Sequence, residues 1–302
     1  MQVNREFNAV PEQYLSNSAT RDQGVINFLG AQVANPFYPL LPRTNLAATT
    51  IPRNQLLRPY PQFTSVTANQ NIGYTWYHSA QVRLERRFSA GLSSSLSYTW
   101  SKTMEALGFL NPADRFLEEV ISSQDRPHRL TLTWLYELPF GKGKLIPGPA
   151  NKVLGGFIGG WQAQGIFTLQ SGAALGFGNS IFNGDLDNIR LPGDKRDASR
   201  WFNTDAGFER NSLLQLASNV RRLNTRFAAV RADGPNNWDI SMLKNTRLTE
   251  KVQIQFRAEA INALNHPQFT APNTNPSSTA FGMVTGEFAW PRVIQFGLKL
   301  LF

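Results

Sequence analysis

From residue 73 to the carboxyl terminus, apolar and polar side chains alternate in short stretches separated by aperiodic segments of very unequal length. In the last stretch, RVIQFGLKLLF (292–302), Ile294, Phe296, Leu298, Leu300 and Phe302 share one parity, and Gln295, Gly297 and Lys299 share the other. A period of two sends successive side chains to opposite faces of a strand. The same alternation predicts six earlier strands. Trp76, Ala80, Val82, Leu84 and Phe88 oppose Gln81, Arg83, Glu85 and Arg87. After the turn residues Ser89, Ala90 and Gly91, Leu92, Leu96, Tyr98 and Trp100 oppose Ser93, Ser95, Ser97, Thr99 and Ser101. Leu130, Leu132, Trp134, Tyr136 and Leu138 oppose Arg129, Thr131, Thr133 and Glu137; Trp161, Ala163, Phe167 and Leu169 oppose Gln162, Gln164, Thr168 and Gln170. Trp238, Ile240 and Met242 then oppose Asp239 and Ser241, and Val252, Ile254, Phe256, Ala258 and Ala260 oppose Gln253, Gln255, Arg257 and Glu259.

Strands of about 9–11 residues with one apolar and one polar face have the length and pattern of transmembrane β-strands. The polar face of the second strand is almost all hydroxyls, which suits a wet lumen and not a packed soluble core. The connections sort by length. Residues 1–72, 102–127, 171–235 and 263–290 read as long loops, with a short helix expected at 213–220, whereas 89–91, 139–160 and 248–251 read as turns. With the carboxyl terminus on the periplasmic side, every turn falls inside and every long loop outside, the asymmetry of outer-membrane barrels. Trp76, Trp100 and Trp238 then fall at outer strand ends, and Phe88, Tyr136, Trp161 and Phe302 at inner ends, as two aromatic girdles at the membrane boundaries. The expected fold is all-β: an antiparallel transmembrane β-barrel segment of about seven strands with long extracellular loops. Residues 1–72 form an extracellular loop region and 73–302 a partial outer-membrane barrel.

Composition agrees with this picture. The chain has 302 residues, 41% hydrophobic and 17% charged, and its mean hydropathy is −0.30. No apolar run approaches the ~20 residues of a spanning helix, but a barrel needs an apolar residue only at alternate positions. The absence of cysteine excludes disulfides and thiolate-bound metals. The amino-terminal MQVNREFNAVPEQYL lacks the basic, apolar and small-residue regions of a signal peptide, so an exported protein is expected to have further sequence upstream. The net charge of +9 comes from scattered basic residues without a nucleic-acid-binding module, and no nucleic-acid partner is expected.

Candidate chemistry is sparse. His78, His128 and His266 lack the clustering of metal ligands. Asp185, Asp187, Asp194 and Asp197 match no calcium-loop spacing and read as solvated loop. FGKGK (140–144) lacks the spacing of a phosphate-binding loop and reads as a tight periplasmic turn. No nucleophile or paired-acid motif is present, so neither an enzyme nor a cofactor is expected. Arg83, Glu85, Arg129, Glu137, Asp239, Arg257 and Glu259 all take the polar parity, where they read as a structural lumen network in preference to a substrate path.

Six segments carry a resemblance: QLLRPYPQFT (55–64), YHSAQVRLERRFSAGLSSSLSYTWSK (77–102), YELPFGKGK (136–144), GWQAQGIFTLQSG (160–172), NNWDISMLKNTRLTEKVQIQFRAEAINALNHPQF (236–269) and PRVIQFGLKLLF (291–302). In this order they resemble the carboxyl-terminal barrel of TonB-dependent receptors, most closely the Oar-like group, whose full chains begin with a carboxypeptidase-regulatory-like domain. The resemblance implies a barrel of about 22 strands with an amino-terminal plug remodelled through TonB, importing a ligand too large or scarce for porins. The sequence departs from that pattern: it has about seven strands and no plug, TonB-contact segment or regulatory domain, as expected of a fragment beginning in an extracellular loop. Its implied partners are outer-membrane lipid, the remaining strands and plug, TonB through that plug, and the barrel-assembly machinery. In the resembled family that machinery recognises the terminal strand, which matches here at Ile294, Phe296, Leu298, Leu300 and Phe302. A surface adhesion or secretion-associated barrel is the alternative, and a soluble β-rich binding module a third reading. The ligand is not legible in the sequence.

Overall fold

A computed structural model describes residues 1–141, 143–147, 149 and 151–302. Its largest element is an antiparallel sheet of seven long strands: β1 (Tyr74–Ser89), β2 (Leu92–Ala106), β3 (His128–Glu137), β4 (Trp161–Gln170), β5 (Asn236–Arg247), β6 (Gln253–Ile261) and β7 (Val293–Leu301). They follow one another in chain order, each paired with the next. Register keeps parity throughout: Leu84 pairs with Leu96, Leu96 with Leu132, Leu132 with Phe167, and Phe167 with Trp238. On the other face Ser97 pairs with Thr131, and Ser241 with Glu259. Any one-residue slip would exchange the two faces of a strand.

The connection from β1 to β2 takes positive φ at both Ala90 (51°) and Gly91 (81°), the backbone of a two-residue hairpin turn matching the twist of the strands. Between β5 and β6, the Leu248 amide donates to the Val252 carbonyl at 2.9 Å. Gly165 faces Trp134 across β3 and β4, and a Cβ there would stand 2.8 Å from the indole nitrogen. The missing side chain lets the ring lie flat on the sheet. Among the described residues, neither β1 nor β7 has a strand on its other side.

Three expectations need correction. The pattern places residues 102–106 in a loop, yet β2 runs on to Ala106, pairing with Tyr74, and Val120–Ile121 adds to its outer end. With 16 and 15 residues, β1 and β2 exceed what a bilayer crossing needs and project beyond it. The helix expected at 213–220 is only a 3-10 turn at Ser212–Leu214, because Asn211 caps the Leu213 amide and Ser218 adopts positive φ. The connection at 139–160 is no tight turn: it contains the helix α3 (Lys152–Ile158), after α1 (Gln23–Gly30) and α2 (Arg53–Leu56) in the amino-terminal region.

That region, aperiodic in sequence, is ordered by side chains bonding to backbone. Val3–Glu6 pairs with Thr67–Gln70, and Gln32–Ala34 with Thr50–Pro52. Buried Asn8 donates to the Phe63 carbonyl and accepts from the Tyr60 amide, each at 2.8 Å. Asn35 donates to the carbonyls of Leu46 and Ala48. Asp22 caps α1 at the Val25 amide. Asparagine and aspartate mimic backbone turns in this way, so such a segment needs no hydrophobic period to be specified.

Candidate lipid-facing surface and loop assembly

The apolar face of the sheet is largely uncovered. Val82, Leu84, Phe88, Trp100, Leu169, Ile294, Phe296, Leu298, Leu300 and Phe302 are all exposed. In water such a continuous apolar patch would be an association surface. Of the terminal-strand residues, Ile294, Phe296, Leu298 and Leu300 pair along β6 with Ala260, Ala258, Phe256 and Ile254. Phe296 stacks on Phe256 with centroids 6.2 Å apart. Phe302 follows the last paired residue and is 97% exposed.

The aromatic positions are staggered along the sheet. Trp100 pairs with Ala80, whereas Trp76 lies further out, opposite Met104, and Trp238 lies further in, opposite Phe167 on the rung of Leu96 and Leu84. The inner set drifts the same way: Tyr136 pairs with Leu92 close to Phe88, Trp161 pairs with Lys244, and Phe302 ends β7 beyond the Leu301–Gln253 pair. From β1 to β7 the aromatic positions shift inward along the register, as level positions would on strands tilted by about 35–45°.

The polar face carries small ion pairs along single strands. Arg83 pairs with Glu85, and Arg257 with Glu259 at 3.3 Å. Glu259 also accepts from Gln295 across to β7. Asp239 accepts from the Asn237 side chain and the Asn262 amide, both at 2.9 Å. Glu137 pairs with Lys144 at 2.6 Å in the β3–β4 connection. Arg129 pairs in register with Thr99 and Gln170.

Beyond the outer strand ends two of the long loops share a hydrophobic core. Leu175, Phe177, Ile189, Trp201, Phe202, Phe208, Val230 and Phe281 are buried together, drawn from both 171–235 and 263–290. Phe177 meets Phe202 edge-on at 5.1 Å, and Arg210 lies 4.8 Å from the Phe281 centroid. Gly176 and Gly184 permit the closest chain approaches, since a Cβ there would lie 1.7 Å from the carbonyl oxygens of Thr225 and Ala206. Two ion pairs tie this core to the sheet. Asp125, 1% exposed, accepts from the Thr103 amide at 2.6 Å and from Arg231 at 2.7 Å. Glu105, on the polar parity of β2, is held by Arg226 and Ser122. The loops therefore pack against the polar side of the projecting strands. A cleft of 270 Å³ at this junction is lined by His128, Arg190, Arg196, Arg231 and Trp201 among others.

No three His, Asp or Glu side chains among the described residues are placed to hold a metal. His128 Nδ1 shares a 2.8 Å hydrogen bond with the Tyr98 hydroxyl, and the His266 amide donates to Asn262. Asp185 accepts from the Asp187 amide, and Asp197 from Ser199 and the Arg200 amide, closing local turns. The Ser199 hydrogen bonds hold the Asp197 carboxyl below the ordinary carboxylate range. Gly141 and Gly143 take positive φ in FGKGK, and the Gly141 amide donates to the Ile146 carbonyl. Sequence reasoning missed the loop core, the Asp125 and Glu105 ion pairs, and Lys244, which extends β5 beyond Met242 on the apolar parity. Its signal was present: the two-residue period continues through 244 with a cation in an apolar place.

An antiparallel meander with one bare apolar face, one polar face, and long loops gathered at one end is the wall of a membrane-spanning β-barrel. A family model described as an outer membrane beta barrel domain matches residues 2–295, and the chain belongs to that family. Its place is the cell outer membrane, where the exposed apolar face is the one suited to lipid. No curated protein and no solved structure matches the chain.

Proposed function

We propose that this chain supplies carboxyl-terminal strands of a TonB-dependent receptor of the Oar-like group, importing a ligand across the outer membrane with energy delivered through TonB. The open sheet carries this reading. Seven strands with two unpaired edges cannot stand alone in hydrocarbon, where each unsatisfied backbone group costs several kcal/mol. Further strands must complete the wall, and a larger barrel has room for a plug. In this reading the chain performs no catalysis. The polar-face charges line the interior, the loop assembly meets the ligand, and Ile294, Phe296, Leu298, Leu300 and Phe302 address the chain to the barrel-assembly machinery.

The mass and amino-terminal sequence of the protein purified from native outer membranes, with its retention on the immobilised periplasmic domain of TonB, test the proposal. A polypeptide far larger than 33.8 kDa that carries a plug and is retained is expected. A membrane protein of that mass that is not retained would refute it. The ordered loop core favours one second reading, an adhesion or secretion-associated barrel, whose activity would survive dissipation of inner-membrane energy.

A further inference from the structure

The β3–β4 connection leaves the sheet at its inner end, and α3 within it lies against the lipid face. Two side chains of that face hold it. Trp161 Nε1 donates to the Phe157 carbonyl at 2.9 Å. The Lys244 ammonium donates to the Gly156 carbonyl at 2.7 Å and to the Gly159 carbonyl. The last carbonyls of a helix have no partners of their own, and an ammonium there meets the negative end of the helix dipole. Lys244 also sits 5.1 Å from the Trp161 ring centroid.

This clasp accounts for a residue that otherwise breaks the pattern. Lys244 shares the parity of Trp238, Ile240 and Met242, where a cation costs about 2–4 kcal/mol at the bilayer midplane and about 0–1 near the interface. It stands at the inner end of β5, 9% exposed, with its charge directed at helix carbonyls. The anchoring leaves Leu154, Phe157 and Ile158 on the outside, 53%, 70% and 44% exposed. Their spacing of three and four residues places them on one helical face. The sheet beside the helix belongs to the lipid-facing band: Trp161 meets Phe256 edge-on at 6.4 Å, and Phe256 stacks on Phe296.

We propose that α3 is an interfacial helix lying in the periplasmic leaflet of the outer membrane, with Leu154, Phe157 and Ile158 at the boundary between phospholipid headgroups and acyl chains. The partner is inner-leaflet phospholipid, because the face is apolar and exposed, and the helix is tied to Trp161 and Lys244 of the lipid face at the depth of the inner aromatic positions. Helices of this kind settle about 5–10 Å into the boundary. Lys244 and Trp161 are positioning residues that hold the helix against the wall. The proposal rests on the orientation given above, with the β3–β4 connection on the periplasmic side.

The chain has no cysteine, so a reporter placed in it is the single thiol within these 302 residues, and the unsubstituted protein serves as the labelling blank. Phe157→Cys, Leu298→Cys and Ser199→Cys are introduced into the native gene. Each protein is purified from outer membranes, labelled with a polarity-sensitive fluorophore, and reconstituted in phosphatidylethanolamine and phosphatidylglycerol vesicles. Iodide then probes exposure to water, and lipids with nitroxides at shallow or deep acyl positions probe depth. The expected result is blue-shifted emission at 157, quenched most by the shallow nitroxide and little by iodide, with 298 quenched by the deep nitroxide and 199 by iodide. Adding Lys244→Gln should shift the label at 157 towards aqueous emission while leaving 298 unchanged. Iodide quenching at 157 with 298 still in lipid would overturn the helix proposal alone, as would shielding from both quenchers, which would mean a protein covers it. Aqueous emission at both 157 and 298 would overturn the membrane orientation, and the helix proposal with it.

Discussion

The wall and the loop assembly of this protein are built on opposite principles. In the wall, most hydrophobic side chains follow a period of two and point outward into lipid. In the loops they follow no period, and a cluster of them is buried. The largest fully buried side chains, among them Phe202, Leu46, Ile189 and Val3, all lie outside β1–β7. A barrel wall needs no apolar interior, because the bilayer takes the place of one and the backbone ladder supplies the cohesion. The loops stand in water and must exclude it for themselves.

Perturbations should separate the two regions, and the largest effect is expected in the loop core. Phe202→Ala removes a ring that is 1% exposed and should cost the loops about 3–5 kcal/mol. Limited proteolysis should then cut within 171–235 while the wall stays resistant. Loss of the whole barrel instead would mean the two regions fold as one. Next in size, Val82→Arg introduces a cation on the lipid face midway between Trp76 and Phe88 and should cost about 2–4 kcal/mol. Gln81→Arg, one residue away on the polar face, should leave assembly near normal; the two are compared by the heat-modifiable fraction on gels. Equal effects would break the assignment of faces.

Deleting Phe302 should reduce the amount of assembled barrel in cells without changing the thermal stability of the barrels that form. Unchanged assembly would remove Phe302 from the assembly signal. The smallest effect concerns Glu6, whose carboxylate accepts from Ser65 and from the Val66 and Asn8 amides. The Ser65 bond first, then the Val66 bond, lowers its pKa. A depressed folded value means the stabilisation is complete above the unfolded carboxylate pKa and is lost as pH falls through the folded one. Proteolysis within 1–72 should therefore rise at acidic pH, and Glu6→Gln should flatten that dependence.

Legibility followed the same division. All seven long strands could be read from alternation, because a lipid face and a wet face demand opposite residues at neighbouring positions. The loop core could not be read, since Phe177 and Phe281 meet across more than a hundred intervening residues and nothing local marks the pair. The one hint was excess aromatics, with Phe177, Trp201, Phe202 and Phe208 crowded into a segment otherwise rich in Asn, Asp and Arg. The order within residues 1–72 was illegible for a related reason: it comes from single amides such as Asn8 and Asn35, which bond to carbonyls 11 to 55 residues away, and no local pattern records that.

The unpaired edges carry a constraint of direction. Each strand of the sheet runs opposite to its neighbour, and with an odd number of them β1 and β7 run the same way. Rolling the sheet onto itself, or joining β7 of one copy to β1 of another, would set parallel strands side by side at the seam. A wholly antiparallel wall closes only when an odd number of additional strands is inserted, which gives an even total. Arithmetic alone thus rules out a symmetric ring of these sheets as an antiparallel barrel, and any strands that complete the circumference have to begin and end with ones running opposite to β1 and β7.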